Sequence, residues 1–555
     1  MKTMEKMNTN HFSVKVIILS VFFALSFLVH QSANAQTLPA KYLLVFKDKS
    51  NSPYSVSQPL AYLSQRSVNR RQKQNIAFTT KDLPVNPAYI DEVKKKGAKV
   101  IYTSRWMNAA LIECTVTVLT SVLQLSFVKG LEINTSIDNP STRTARKTTK
   151  FESLGTEALG YGLSKTQIEM IGADKMHDQG FHGEGMMIGV LDAGFNNANN
   201  IAALKPLFDE NRIVGTYDFV KNEKNVYEDD AHGTAVLSCM GAYLDGQVIG
   251  TAYKSSFLLL RSEDAASEYL IEEANWLFAA EYADSVGVDL INSSLGYSEF
   301  DDASTSHKYA DLNGKTTIAA RAASWAASVG IVCVISAGNE GNAAWRYIST
   351  PADADSVITV GAIDALKSYV SFSSIGPSAD GRVKPDLAVM GRSAAVVTPN
   401  GNVSTSDGTS FSSPILCGMV AGFWQANPTL TAMTVIDRMR KSGSQYQNPD
   451  TRLGYGIPDF TRANTPTVLS TENENNQLFN VYPNPTTSEI TIQLNDTKVN
   501  NYFTSLMDIS GKTLLYQPIN TLSFKLSLTN LNAGTYFLRI GNEHKSALVK
   551  VLKIE

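Results

Sequence analysis

Four short, nearly unbroken apolar runs set the strongest limit on how this chain can fold. They are Met186–Leu191 (MMIGVL), Phe257–Leu260, Val288–Ile291 and Ile331–Ile335. A strand with one wet face alternates polar and apolar residues, whereas a run that is apolar throughout needs cover on both faces. Between these runs, Glu268–Val286 and Ala319–Val329 repeat apolar residues at helical spacing. Such alternation predicts an α/β domain with a doubly wound, mainly parallel sheet. Ligands of such sheets lie beyond the carboxyl ends of the strands.

The chain continues on both sides of that domain, as 555 residues exceed one core. Lys2, Lys6 and Lys15 precede an apolar stretch, Val16–Val29, and Ala33-Asn34-Ala35 offers a small-x-small cleavage site. This is the layout of a signal peptide over 1–35, and the apolar stretch is too short to cross a bilayer. Residues 36–150 read as a small α+β domain. Lys41–Lys47 and Lys99–Tyr102 suit strands, Tyr89–Lys96 a helix, and Cys114–Val128 is an apolar, β-branched run. Its end, Ser141–Lys150 (STRTARKTTK), is a basic linker: a maturation site or a plain connector. The α/β domain then occupies 151–464. A polar linker follows at 465–477, and 478–555 form a small all-β, sandwich-like domain. Phe524–Leu528 and Thr535–Ile540 alternate there, with turns expected at Gly511 and Gly534.

A net charge of −3 gives no reason to expect nucleic acid or an anionic membrane as partner. Cys114, Cys239, Cys333 and Cys417 match no zinc spacing and are too few for a disulfide scaffold. They read as small buried apolar side chains, with a Cys239–Cys417 disulfide as the alternative.

Histidine is scarce. Setting aside His11, His30 and His544, four remain: His177, His182, His232 and His307. His232 is followed by Gly233-Thr234 and a helix-compatible apolar segment. Small neighbours leave an imidazole open to a cleft, as a general base requires. Asp192 ends the MMIGVL run, where a carboxylate can orient an imidazole; otherwise it is a turn residue. Ser410 lies in GTSFSSP, where Gly408 permits a tight turn and Pro414 suits the first turn of a helix. Its hydroxyl is expected at a helix N-terminus, whose N–H groups can hold an oxyanion; the alternative is a capping serine. Asn339, in SAGNEG after the fourth run, offers a side-chain amide to that oxyanion, or is a turn residue.

Taken in order, IGVLDAGF, AHGTAV, NSSLGY, SAGNEG, PADADSVITVGAID, FSSIGP and DGTSFSSP make residues 160–460 resemble the subtilisin-like serine proteases. The resemblance implies a serine endopeptidase with Ser410 as nucleophile, His232 as its base and acid, and Asp192 fixing the tautomer. It also implies an oxyanion hole from Asn339 and the Ser410 N–H, and protein or peptide substrates paired along Ser294-Leu295-Gly296. Ala235, Phe411 and Ser412 depart from the usual pattern but remove no reacting group. The segment WRYIST before Pro351 is expected at the pocket floor. No cofactor is expected for the chemistry. A structural calcium stays open, since the loop at Tyr243-Leu244-Asp245-Gly246 offers one carboxylate where calcium wants six to eight oxygens. Residues 36–150 resemble, loosely, a family pro-domain acting as intramolecular inhibitor of a zymogen. Residues 478–555, through VYPNP, DISGK and NAGTYF, resemble the sorting domain of type IX secretion substrates. That implies export through the periplasm to the cell surface or medium. A monomer is expected. The contrasting readings are a catalytically dead binding module on the same fold, or an esterase.

Overall fold

The structure, a computed structural model, describes residues 38–138, 160–465, 479–495, 502–508, 512–541 and 546–555. The signal peptide, both linkers (save residue 465) and Gly511 lie outside the described residues. The chain divides into two compact units at residues 464/465.

In the larger unit, seven strands form one wholly parallel sheet. They are β5 (Met187–Asp192), β6 (Ile213–Asp218), β7 (Ser256–Arg261), β8 (Leu290–Ser293), β9 (Val332–Ser336), β10 (Ile358–Ile363) and β11 (Leu387–Met390), in the order β11-β10-β9-β8-β5-β7-β6. Successive residues of these strands enter two different cores. Ile188, Val190, Leu290, Val332 and Val334 pack with helices α4 (His232–Gly241) and α7 (Thr409–Ala426). Leu191, Ile291, Cys333 and Ile335 pack with α5 (Ile271–Val286) and α6 (Ile318–Ser328). Cover on both faces is why these strands lack alternation. The strand order reverses at β5, so the crevice beyond its carboxyl end is the expected ligand site.

Residues 38–138 form an antiparallel sheet, order β2-β3-β1-β4, from β1 (Ala40–Phe46), β2 (Lys99–Ser104), β3 (Ala109–Cys114) and β4 (Val128–Leu131). Helices α1 (Gln65–Lys73), α2 (Pro87–Lys95) and α3 (Val116–Leu123) accompany it. The β-branched 114–128 run is thus largely helical. Thr115 caps α3 by accepting the Val118 N–H, a local bond that outweighs β propensity. One face of this sheet (Leu43, Ala109, Leu111), with Trp106, Met107 and Ile137, shares a core with α5 and α6.

Charge joins the two parts as well. Asp284, near the end of α5 and fully buried, accepts bonds from Arg71 Nη2 (2.7 Å), Arg105 Nη2 (2.5 Å) and Arg70. Glu281, one turn earlier, accepts the Arg105 and Trp106 backbone N–H groups and the Ser104 hydroxyl. Burial pushes the Asp284 carboxyl up, but the three guanidiniums prevail and hold it at about 2.

In the smaller unit seven strands make two antiparallel sheets. They are β12 (Phe479–Tyr482), β13 (Glu489–Leu494), β14 (Tyr502–Met507), β15 (Thr513–Ile519), β16 (Ser523–Ser527), β17 (Gly534–Gly541) and β18 (Ser546–Lys553). The sheets run β12-β13-β16 and β15-β14-β17-β18, around a core that includes Ile490, Ile492, Leu538 and Ile540. Gly534 is not in a turn: it opens β17, paired with Lys553. All four cysteines are free and buried, so the disulfide alternative does not hold. Among the described residues no helix is long and apolar enough to cross a membrane.

Candidate active site

Asp192 ends β5 and is fully buried. Its Oδ1 accepts His232 Nδ1 at 2.8 Å and the Ala193 N–H at 2.8 Å, while Oδ2 has no partner. It is therefore no turn residue in solvent. His232 is the first residue of α4, fixed by its backbone N–H donating to Asp230 Oδ1 at 2.7 Å. Gly233 has no room for a side chain: a Cβ there would lie 2.4 Å from the Gly194 carbonyl oxygen and 2.9 Å from Asp192. The glycine lets α4 approach β5 closely enough for the ion pair. Burial depresses the imidazole's basicity, but Asp192, assisted by Glu263 and Asp230, raises it to about 9.

Ser410 is the second residue of α7. The cap is Gly408, at φ 154° and ψ 148°, a conformation open to glycine; no side chain caps the helix, which removes the capping-serine alternative. The Ser410 N–H is one of the first-turn donors without an intrahelical acceptor. Pro414 lies in the second turn, the sixth residue of the helix, not in the first. Lacking an N–H, it cannot bond the Ser410 carbonyl four residues back. Ser294 Oγ donates to that carbonyl instead, at 2.8 Å.

Asn339 follows β9. Its Oδ1 accepts the Thr409 N–H (2.9 Å) and hydroxyl (3.0 Å), which fixes the amide with Nδ2 as the remaining donor. Ser294-Leu295-Gly296 continues β8 outside the sheet, with Gly296 exposed. Together with Ser410, His232, Asn339, Asp230, Glu263, Glu268, Glu340 and Ser349, this segment lines one cavity of about 290 Å³. All the predicted residues except buried Asp192 line it, and Asp192 touches it through His232. Ser410 Oγ and His232 Nε2 meet there without a hydrogen bond between them, a looseness common before substrate closes a site. Ser349, from WRYIST, is buried with an unpartnered hydroxyl, and a Cβ on Gly296 would strike it.

Sequence reasoning missed Thr409, Ser349 and the acids at 263 and 268. Thr409 sits beside the nucleophile, but nothing in its own position announces a bond to a loop 70 residues away. The other histidines are occupied: His177 between Tyr161 OH (2.9 Å) and the Thr251 carbonyl (3.1 Å), His182 with Glu184, His307 with Glu273.

The loop weighed for calcium is a two-stranded hairpin, Tyr243–Leu244 against Val248–Ile249. Leu244 O accepts Gln247 N–H, Gln247 O accepts Leu163 N–H, and Asp245 is the lone carboxylate of 243–249. Among the described residues no group of three His, Cys, Asp or Glu is placed to hold a metal.

Comparison with known proteins agrees with this architecture. The subtilase family profile matches residues 183–456, a Bacteroidota peptidase S8 propeptide domain matches 41–150, and a secretion system C-terminal sorting domain matches 480–555. Subtilisin DY of Bacillus licheniformis is 29% identical over 282 residues, covering 50% of this chain and 90% of its own. The serine protease AprX of Bacillus subtilis is 28% identical over 303 residues, 49% of this chain and 64% of its own. The crystal structure of the epidermin leader peptide processing serine protease of Staphylococcus aureus superposes with a TM-score of 0.52 at 17% identity. It covers 77% of this chain and 98% of that one, and shares the fold. The protein is a serine endopeptidase, a hydrolase of peptide bonds. The chain belongs to the subtilase family, with a propeptide domain before the catalytic domain and a type IX sorting tail, the mark of a secreted or surface protein, behind it.

Proposed function

We propose that Asp192, His232 and Ser410 form the triad that cuts peptide bonds, through an ester on Ser410. The observation that carries this is the His232 Nδ1–Asp192 Oδ1 bond at 2.8 Å, which leaves Nε2 to a cavity that also holds Ser410. With Nδ1 carrying its proton to Asp192, Nε2 is the basic nitrogen. It takes the Ser410 hydroxyl proton as Oγ adds to the substrate carbonyl carbon. The resulting oxyanion is held by Asn339 Nδ2 and the Ser410 N–H. His232 then passes the proton to the amide nitrogen, the C–N bond breaks, and an acyl-Ser410 ester remains. Water, deprotonated by His232, repeats the sequence and frees the acid. Ser294-Leu295-Gly296 lies outside the sheet ladder and would pair with the substrate backbone.

The chain is read as a zymogen exported through the periplasm, its propeptide domain the inhibitor in cis. Among the described residues none of 38–138 lines the cavity. No metal is required in this scheme, and the enzyme is expected to act as a monomer on proteins or peptides.

The test is Ser410→Ala beside wild type. The variant should lose about a million-fold in turnover, the loss known for subtilisin, and should not label with a fluorophosphonate. Asn339→Ala should lose about a hundred- to thousand-fold. A Ser410→Ala protein that still hydrolyses peptides at a substantial fraction of the wild-type rate rejects the assignment.

A further inference from the structure

The face of β8 that meets α7 turns polar where its neighbours stay apolar. Leu290 packs on that face into the core shared with α4 and α7. Asn292, two residues on, is paired in register with Val190 of β5 and Val334 of β9, both members of the same core. It is fully buried nonetheless. An amide in such a place is costly unless its donors and acceptor are met, and an aliphatic side chain would match its neighbours without that need. Packing alone therefore gives no reason for asparagine here.

Both ends of the amide are in use. Ser413 Oγ, on α7 and also fully buried, lies 2.9 Å from Asn292 Oδ1. Asn292 Nδ2 is 3.2 Å from Ser294 Oγ, which in turn is 2.8 Å from the Ser410 carbonyl oxygen. A carbonyl can only accept, so the Ser294 proton is committed to Ser410, and the Ser294 oxygen must accept from Nδ2. That orients Oδ1 toward Ser413, whose hydroxyl donates to it. The relay leaves α7 at Ser413, crosses to β8 and returns to α7 one turn earlier, with every proton pointing the same way. Bonds aligned in this manner polarise and strengthen one another.

The relay ends on the carbonyl that Pro414 deprives of its helical donor. Other hydroxyls tether the start of α7 elsewhere. Thr409 donates to the Gly338 carbonyl (3.1 Å) and Asn339 Oδ1 (3.0 Å), beyond β9, and Ser412 to the Val389 carbonyl of β11 (3.1 Å). The relay adds the bond to β8, whose continuation, Ser294-Leu295-Gly296, is read above as pairing with substrate. The nucleophile and the chain it attacks are thus referred to one strand.

We propose that Asn292 is a positioning residue of the endopeptidase. Through Ser294 it fixes the Ser410 carbonyl, and with it the aim of Ser410 Oγ and the Ser410 N–H at the carbonyl group of a bound substrate. Ser413 completes the relay, and Asn292 itself touches no reacting atom. The inference rests on the triad reading, since it concerns how Ser410 is held.

The test uses the full chain, with active sites counted by fluorophosphonate labelling so that unfolded molecules do not enter the rates. Turnover of a peptide amide is measured in wild type, Asn292→Leu, Ser294→Ala and the double variant. Asn292→Leu should lower kcat per labelled site about 10- to 100-fold, the range for a misplacement on the order of an ångström at the reacting centre. Ser294→Ala cuts the same relay at its last bond, so adding Asn292→Leu to it should change kcat by no more than about twofold. A side chain that merely supports the fold would not show that coupling. Should Asn292→Leu not fold, Ser413→Ala takes its place in the cycle, with an expected loss of about three- to tenfold and the same lack of further effect in Ser294→Ala. Wild type that labels, with a wild-type kcat per labelled site in the relay variant or losses that multiply in the double variant, overturns the relay alone. Wild type that fails to label overturns the triad reading, and the relay with it.

Discussion

At the C-terminal end of α5, Asp284 and Glu281 are enclosed by three arginines, two backbone N–H groups and a serine hydroxyl, all from the propeptide domain. At its N-terminal end Glu272 is as deeply buried, with no cation and no well-placed donor. One helix thus holds acids of both kinds. Where three guanidiniums close on it, Asp284 is driven to ionise, whereas burial still pushes the neighbouring Glu281 carboxyl up. Where no guanidinium closes on it, Glu272 is driven to stay neutral. Burial alone therefore says little about what an acid is for; the completeness of its hydrogen bonds says more.

The sharpest way to break this contrast is Asp284→Asn in the Ser410→Ala chain, with its propeptide domain still attached. It leaves Arg70, Arg71 and Arg105 buried without their shared anion and should cost about 3–5 kcal/mol in denaturant unfolding. A loss no larger than that of Glu272→Gln would end the distinction. Next in size is acid titration of the same chain. Asp284 is depressed in the folded state to about 2, so its contribution is complete above its unfolded value, near 3.8, and disappears as pH falls toward 2. That loss is about 2–3 kcal/mol and should vanish in Asp284→Asn. Glu272 has the opposite sign. Its raised carboxyl supplies stability that is complete below the unfolded value, near 4.5, and fades as pH rises through the folded one. Glu272→Leu, which removes an unsatisfied buried group, should therefore be neutral or stabilising by about 1 kcal/mol at pH 7. The smallest expected effect is kinetic. His232 must be neutral to act, so kcat/KM should rise with pH along a limb near 9, and Glu263→Gln should lower that limb by about one pH unit or less.

Much of this could be read from the chain because it depends on local pattern. The fully apolar strands, α5 and α6 follow from such pattern, and Asp192, His232, Ser410 and Asn339 sit where strand ends and helix starts announce themselves. Pro414 misled by a turn, because a proline rule for N-termini takes no account of a serine from another strand that makes an interior proline tolerable. Gly534 misled because the first position of a strand accepts glycine as readily as a turn does. The arginine clamp was invisible: Arg71 and Asp284 are 213 positions apart, and surface arginines look the same in sequence as buried ones. The acids at 263, 268 and 272 were hidden likewise, as charged residues at a helix start usually serve the helix dipole.

The hydroxyl of Ser294 closes the gap that Pro414 opens in α7. The segment proposed to pair with substrate and the helix that carries Ser410 therefore share one atom-to-atom bearing, 2.8 Å long. On the proposed mechanism, a shift in either would reach the other, so the register of the bound chain and the angle of attack would be a single mechanical adjustment, not two.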